Sequence, residues 1–288
     1  MTKEKNRLSL WWRVVKQRLR VRCLSLLGDN ARYVFVQNGD TGFLVDPADN
    51  HVSRQLLKTG VYNPDELARY RALIKETDTV LVVGGHIGSI ALPLSRSCKS
   101  MAIIEANPRT FELLHLNTKV NDLKNVRLFN FAAGSSCGSI DFVMSSENSG
   151  GSKIFPINRQ DHYLYDDPGI VTVELSRIDD MFDEQFDVVI MDIEGSEFSA
   201  ISGAQNILMS ARVFICEYFP NHLRDIAGVS AYEFSELVES LQFDEVTFPK
   251  LGWQGSGKAN LHEPFLEVEK SQSTEDGVVF LRSTETIG

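Results

Sequence analysis

The sequence predicts an α/β fold: a central, mostly parallel sheet with helices on both faces, joined to an N-terminal helix and a small hairpin. Three observations point there. Apolar strand-like runs at 79–83, 101–105, 126–131, 186–192 and 213–217 alternate with stretches of helical spacing, the pattern of a parallel sheet covered on both sides. A glycine turn follows the first run directly, and carboxylates close the second and fourth. The chain has 288 residues, 43% of them hydrophobic and 24% charged, which suits one sizeable globular core.

Residues 1–28 hold eight Lys and Arg against the single acid Glu4, a net +7 within a chain whose total is −10. Leu8, Trp12, Val15, Leu19, Cys23 and Leu26 recur at spacings of three or four, so a helix with one apolar stripe and basic flanks is expected over 8–27. Two readings stand for it ahead of a weaker third, arginine pairing with RNA. One is an interfacial helix on anionic lipid with Trp11 and Trp12 at the headgroups; the other is a helix packed on its own domain. Residues 33–36 and 42–45 read as a hairpin around Asn38-Gly39-Asp40. Residues 1–60 form an accessory segment on this reading, and 61–288 the main domain. Residues 64–76 have helical spacing and lead into the first core strand. Between the third and fourth core strands, strand-like ends at 138–144 and 171–175 flank the polar loop 145–167, a candidate lid or substrate wall. Runs at 243–248 and 277–281 are expected as edge strands.

Charge and cysteine usage exclude several functions. Outside the basic segment the chain carries −17, a sign that opposes a polyphosphate backbone, so nucleic acid is not an expected partner. Cys23, Cys98, Cys137 and Cys216 have no CxxC spacing, so neither a zinc site nor a disulfide framework is expected, and no metal is assigned. With no signal-like or spanning stretch, the expected location is cytoplasmic, or peripheral to the inner face of a membrane if 8–27 binds lipid. Oligomeric state is not legible.

The chemistry-bearing residues lie at strand ends. After the run Val80–Val83, the turn Gly84-Gly85-His86-Ile87-Gly88 has glycines where a strand bends sharply into a helix and a ligand can touch backbone. It lacks the Gly-x-Gly-x-x-Gly spacing of a nicotinamide site in every register. Glu105 closes the next strand, where a carboxylate can accept the hydroxyls of a bound nucleoside's ribose. After the fourth strand come Asp192, Glu194 and Glu197. Asp192 is placed to face a reacting centre at the carboxyl edge of the sheet, and Glu194 to orient or deprotonate an acceptor hydroxyl. Equally, Glu194 and Glu197 can start the following helix, where negative charge complements its dipole.

In order, "VVGGHIGS", "IIEANP", "NTKVNDLKNVRLFNFAAG", "MDIEGSEFSAISGA" and "FICEYFP" resemble the FkbM family of S-adenosylmethionine-dependent methyltransferases over about residues 50–250. The resemblance implies a Rossmann-like class I methyltransferase fold and S-adenosyl-L-methionine as cofactor. It implies that Gly84, Gly85 and Gly88 cradle the cofactor, with His86 in the turn as a substitute polar contact to it, that Glu105 holds its ribose, and that Ala106 and Ala132 border its adenine. Asp192 and Glu194 would be the catalytic pair. The implied acceptor is a small molecule or glycan, methylated on a hydroxyl of a sugar, glycolipid or natural product. The chain departs from the family's pattern at Val82, where Asp is usual, and at Gly85-His86, where Ala-Asn is usual. Val82 motivates an alternative, a binding or regulatory module that kept the fold with a weakened cofactor site.

Overall fold

The computed structural model describes residues 32–145, 147–158, 167–258 and 260–283. The helix expected over 8–27 lies outside them. Strands β1 (Val34–Asn38) and β2 (Thr41–Val45) form an antiparallel hairpin, followed by helices α1 (Val52–Thr59) and α2 (Pro64–Leu73). A strand–helix alternation comes next: β3 (Thr79–Val83), α3 (Ala91–Ser95), β4 (Ser100–Ile104), α4 (Pro108–Val120) and β5 (Val126–Phe129). An inserted sheet contains β6 (Ala132–Ala133), β7 (Gly138–Met144), β8 (Lys153–Ile154) and β9 (Gly169–Ser176), and the short α5 (Ile178–Met181) leads out of it. The alternation resumes with β10 (Val188–Met191), α6 (Glu197–Ser202), α7 (Gln205–Ser210) and β11 (Val213–Tyr218). It ends with α8 (Pro220–His222), α9 (Ala231–Ser240), β12 (Glu245–Phe248), β13 (Trp253–Ser256), α10 (His262–Lys270) and β14 (Glu275–Leu281).

The main sheet has the order β13-β12-β14-β11-β10-β3-β4-β5. Strands β11, β10, β3, β4 and β5 run parallel. Strand β14 enters antiparallel between β11 and β12, and β13 closes the edge. This is the Rossmann-like architecture that the sequence predicted. The chain winds outward from β3 in both directions, through β4 and β5 on one side and β10 and β11 on the other. The crevice between β3 and β10 is therefore the switch point, where open α/β sheets bind ligands at the carboxyl ends of their strands.

Alternating side chains build a core on each face. Leu81 and Val83 join Val189 and Met191 under the helices α6, α7, α9 and α10. Val80 and Val82 join Val188 and Ile190 under α1 to α4, together with Phe43 and Val45 of the hairpin. Asn117 on α4 and Asn121 at its C-terminal cap, one turn apart, fix that hairpin. Asn117 accepts from Leu44 N at 2.6 Å and donates to Leu44 O at 3.1 Å; Asn121 does the same to Gly42 at 2.8 and 2.6 Å. Each amide thereby pairs the free edge of β2 as a neighbouring strand would.

Two late expectations need correction. Segments 243–248 and 277–281 do form β12 and β14, but neither is an edge. The edge on that side is β13, whose Trp253-Gln254-Gly255-Ser256 has no apolar period to announce it. Of the helices among the described residues, none is long and apolar enough to cross a membrane.

The turn after β3 depends on Gly84. Its φ is +92°, and a Cβ there would overlap the Asp192 carbonyl. Gly84→Ala is expected to destabilise the protein by about 3 kcal/mol or more in chemical denaturation. Gly39→Ala, at positive φ but with open space around it, is expected to cost about 1 kcal/mol. Equal losses in the two variants would show that the Asp192 carbonyl can move aside.

Candidate active site

A cavity of about 600 Å³ opens at the switch point, lined from the ends of β3, β4, β10 and β11, from α2 and from the inserted sheet. Gly84, Gly85, His86, Glu105, Ala106, Ala132, Asp192 and Glu194 all face it. Gly88 does not. At φ +87°, it lets the chain pass close to Leu92 and Leu114, so its visible role is helix-to-sheet packing.

Glu105 is 7% exposed and organises the turn. Its Oε2 accepts from His86 N at 2.6 Å; its Oε1 accepts from Asn107 N at 2.8 Å and from Thr110 Oγ1 at 2.9 Å. Burial pushes the carboxyl's pKa up, opposed by these three donors. Oε1 is filled by two donors, whereas Oε2 has one and keeps an acceptor position.

His86 sits in the left-handed region, φ +49°, which turns its ring toward the inserted sheet. Its Nε2 lies 2.8 Å from Ser149 Oγ. Ser149 N in turn donates to Asp49 at 3.2 Å, and Asn107 Nδ2 to Ser152 Oγ at 3.2 Å. The insert is thus fastened over the glycine turn as one wall of the cavity. Burial pushes the His86 pKa down to about 4, so the ring is neutral near pH 7.

The opposite side is acidic. Six carboxylates, Glu66, Glu105, Asp192, Glu194, Glu217 and Asp276, face the cavity against one lysine, Lys153. Asp192 is exposed and lines this cavity. Glu194, at φ +55°, and Gly195, at φ +100°, bend the loop after β10 so that Glu194 Oε2 comes within 3.0 Å of His222 Nδ1. That contact lacks the alignment of a straight hydrogen bond. Glu197 turns back instead, accepting from Ile193 N at 3.0 Å, and is 2% exposed. Of the two acids that share a helix-start reading, Glu194 therefore faces the cavity and Glu197 serves its own loop.

Glu217 and His222 were not singled out by the sequence. Glu217 ends an apolar parallel strand, as Asp192 does, so the same rule could have found it; His222 carries no local signal. Burial pushes the pKa values of both Asp192 and Glu217 well above the carboxylate range. The nearest like charge adds to this, Glu194 for Asp192 and Asp192 for Glu217. Glu217 Oε2 is buried with no donor from any other described group, so its hydrogen-bonding neighbour is Asp192 once one of the two is protonated.

A family model described as the methyltransferase FkbM domain matches residues 83–247. The chain belongs to this family. The FkbM match takes in the glycine turn, Glu105, the insert and the Asp192–His222 region. Among solved structures, a methyltransferase FkbM from Methylobacillus flagellatus KT is 15% identical with a TM-score of 0.44, covering 77% of this chain and 46% of that one. The chain thus spans under half the length of that relative. M. jannaschii TYW2, solved in complex with AdoMet, is 16% identical with a TM-score of 0.45 and 88% coverage of both chains. Trm5b from Pyrococcus abyssi is 12% identical with a TM-score of 0.45, covering 88% of this chain and 57% of that one. No curated protein matches the sequence.

The acid pair has a consequence for stability in this FkbM domain. A carboxyl with a raised folded pKa contributes stability that is present at low pH and lost as pH rises from about 4 through the raised value. Glu217→Gln removes this loss. Its melting temperature is expected to match wild type near pH 4 and to exceed it increasingly toward pH 8, by scanning calorimetry without ligand. A difference that does not change with pH would contradict the shared-proton arrangement.

Proposed function

We propose that the protein is an S-adenosylmethionine-dependent O-methyltransferase acting on a hydroxyl of a small polar acceptor such as a sugar, glycolipid or natural product. The observation that carries this is the Glu194–His222 pair set inside an acidic cavity at the switch point of an FkbM methyltransferase domain. The residues fit the cofactor. Six carboxylates against one lysine suit a ligand with cationic sulfonium and ammonium groups, and Glu105 Oε2 keeps an acceptor position for a ribose hydroxyl. Gly84, Gly85 and His86 would hold the cofactor from the β3 turn, with Ala106 and Ala132 bordering its base. When bound, the cofactor supplies an electrophilic methyl group on a positively charged sulfur.

The chain's own work is alignment and proton removal. His222 Nε2 takes the proton of the acceptor hydroxyl, and Glu194 at Nδ1 orients the ring and stabilises the imidazolium that forms. Asp192 faces the same centre and favours positive charge there. The inserted sheet, held by the His86–Ser149 contact, walls this centre from bulk water, and alignment of acceptor and methyl supplies a large share of the rate. The basic 8–27 segment, if it lies on anionic lipid, would bring the site to a membrane-borne acceptor.

His222→Ala is expected to lower kcat by about 10²–10⁴ while the S-adenosylmethionine Kd, by calorimetry, stays within about threefold. Glu194→Gln is expected to lower kcat less, with the acceptor KM unchanged. A His222→Ala enzyme with wild-type kcat would remove His222 from the chemistry. An absence of heat on titrating wild type with both S-adenosylmethionine and S-adenosylhomocysteine would leave the alternative, a non-catalytic module.

A further inference from the structure

The acids at the ends of β10 and β11 do more than line a cavity. Asp192 directly follows β10 and Glu217 lies near the end of the neighbouring parallel strand β11, so both stand at the same carboxyl edge. The charged groups acting most strongly on them are all carboxylates: Glu194 and Glu197 from the loop and start of α6, and Glu66 from α2. Two phenols, Tyr62 and Tyr70, also come near Asp192, and both are held neutral by burial and by these acids. Beyond the loop stands His222, in contact with Glu194, and Lys153 lies on the insert. Glu217 Oε2 is buried and has no donor among the described groups. Such a pair has two stable conditions: it can share one proton, or it can face a cation.

The neighbouring base decides which cation. Methyl transfer takes place at the cofactor's sulfur, and His222–Glu194 must stand beside the acceptor oxygen that attacks there. A pair next to that base would face the sulfonium end. On the reading given under Proposed function, we propose that Asp192–Glu217 is the counter-charge site for the sulfonium, releasing its proton when the cationic cofactor binds and regaining one beside the neutral thioether product. The charges balance. On binding, one proton leaves to solvent as one positive charge enters. In transfer, an acceptor oxygen lone pair forms the new C–O bond, the C–S electron pair stays on sulfur, and the hydroxyl proton goes to His222. Sulfur is then neutral, and the pair takes a proton from solvent. The site consequently favours substrate cofactor over product by charge, which speeds product exchange.

Calorimetric titration of the full chain with S-adenosylmethionine and with S-adenosylhomocysteine, at pH 7.5 in phosphate and in Tris, counts the protons exchanged. The expected result is close to one more proton released for S-adenosylmethionine than for S-adenosylhomocysteine, and affinity for the former rising up to tenfold per pH unit. Glu217→Gln should still bind both ligands, lose the difference in proton release and lower the preference for S-adenosylmethionine about tenfold or more. Asp192→Asn should do the same and serves if the first variant fails to fold. Equal proton release for the two ligands in wild type, or a difference that survives in both variants, overturns the inference and leaves the methyltransferase reading standing. No binding of either ligand overturns both.

Discussion

The approach of two backbones at Gly84 and Asp192 is the constraint on which the site depends. Asp192 N donates to Val83 O at 3.0 Å, so the loop after β10 starts in register with the end of β3. The next residue after Val83 must then pass over the Asp192 carbonyl, where there is no room for a Cβ. A glycine at positive φ meets that demand and turns the chain back toward β4, where Gly84 N and Gly85 N both reach Ile104 O at 2.9 Å. One missing side chain thereby brings together the turn, Glu105 and the acid loop. The crevice geometry is general to open α/β sheets, but its depth here follows from this contact.

Glu105 then acts as a clamp before it acts on any ligand. With donors from His86, Asn107 and Thr110, it joins the turn after β3 to the start of α4. The same α4 and its C-terminal cap present Asn117 and Asn121 to the hairpin and, through Asn117 Nδ2 to Ile87 O at 2.9 Å, to the far side of the turn. His86 completes the set by reaching Ser149. The binding surface is held by side-chain amides, a carboxylate and an imidazole whose partners are backbone groups and hydroxyls, an arrangement that fixes position without needing charge pairs.

The parallel core was legible because strands buried on both faces read as unbroken apolar runs. β3 has the expected ends, and β4, β5, β10 and β11 have ends within two residues of those expected. β13 was not, since an edge strand of Trp, Gln, Gly and Ser needs only a partner's backbone and leaves no periodic trace. The same division holds in the site. Glu105 and Asp192 stand at strand ends, where a general rule about sheets applies. His222 and Glu66 come from a short helix and from a segment ahead of the core; only the folded topology brings residues 66, 192 and 222 into one cavity. Likewise, nothing local separates Glu194 from Glu197. Their fates diverge because left-handed backbone at Glu194 and Gly195 throws the first outward and lets the second fold back on Ile193.

Val82 gains a physical meaning from this acidic surrounding. It is 5% exposed and, with Ile190, lays apolar surface in the cavity beside the acids. A carboxylate there would add a seventh acid to a wall that holds six, and would draw water toward them. Methyl groups instead keep the wall beside the acids apolar, and charge interactions that run along such a wall are less screened than in water. The ligand-free protein bears the penalty of crowded, desolvated acids, and a bound cation relieves it. Replacing an acid by valine therefore need not weaken attraction for a cation: it removes one charge, and it leaves those at the ends of β10 and β11 in a medium where each acts more strongly.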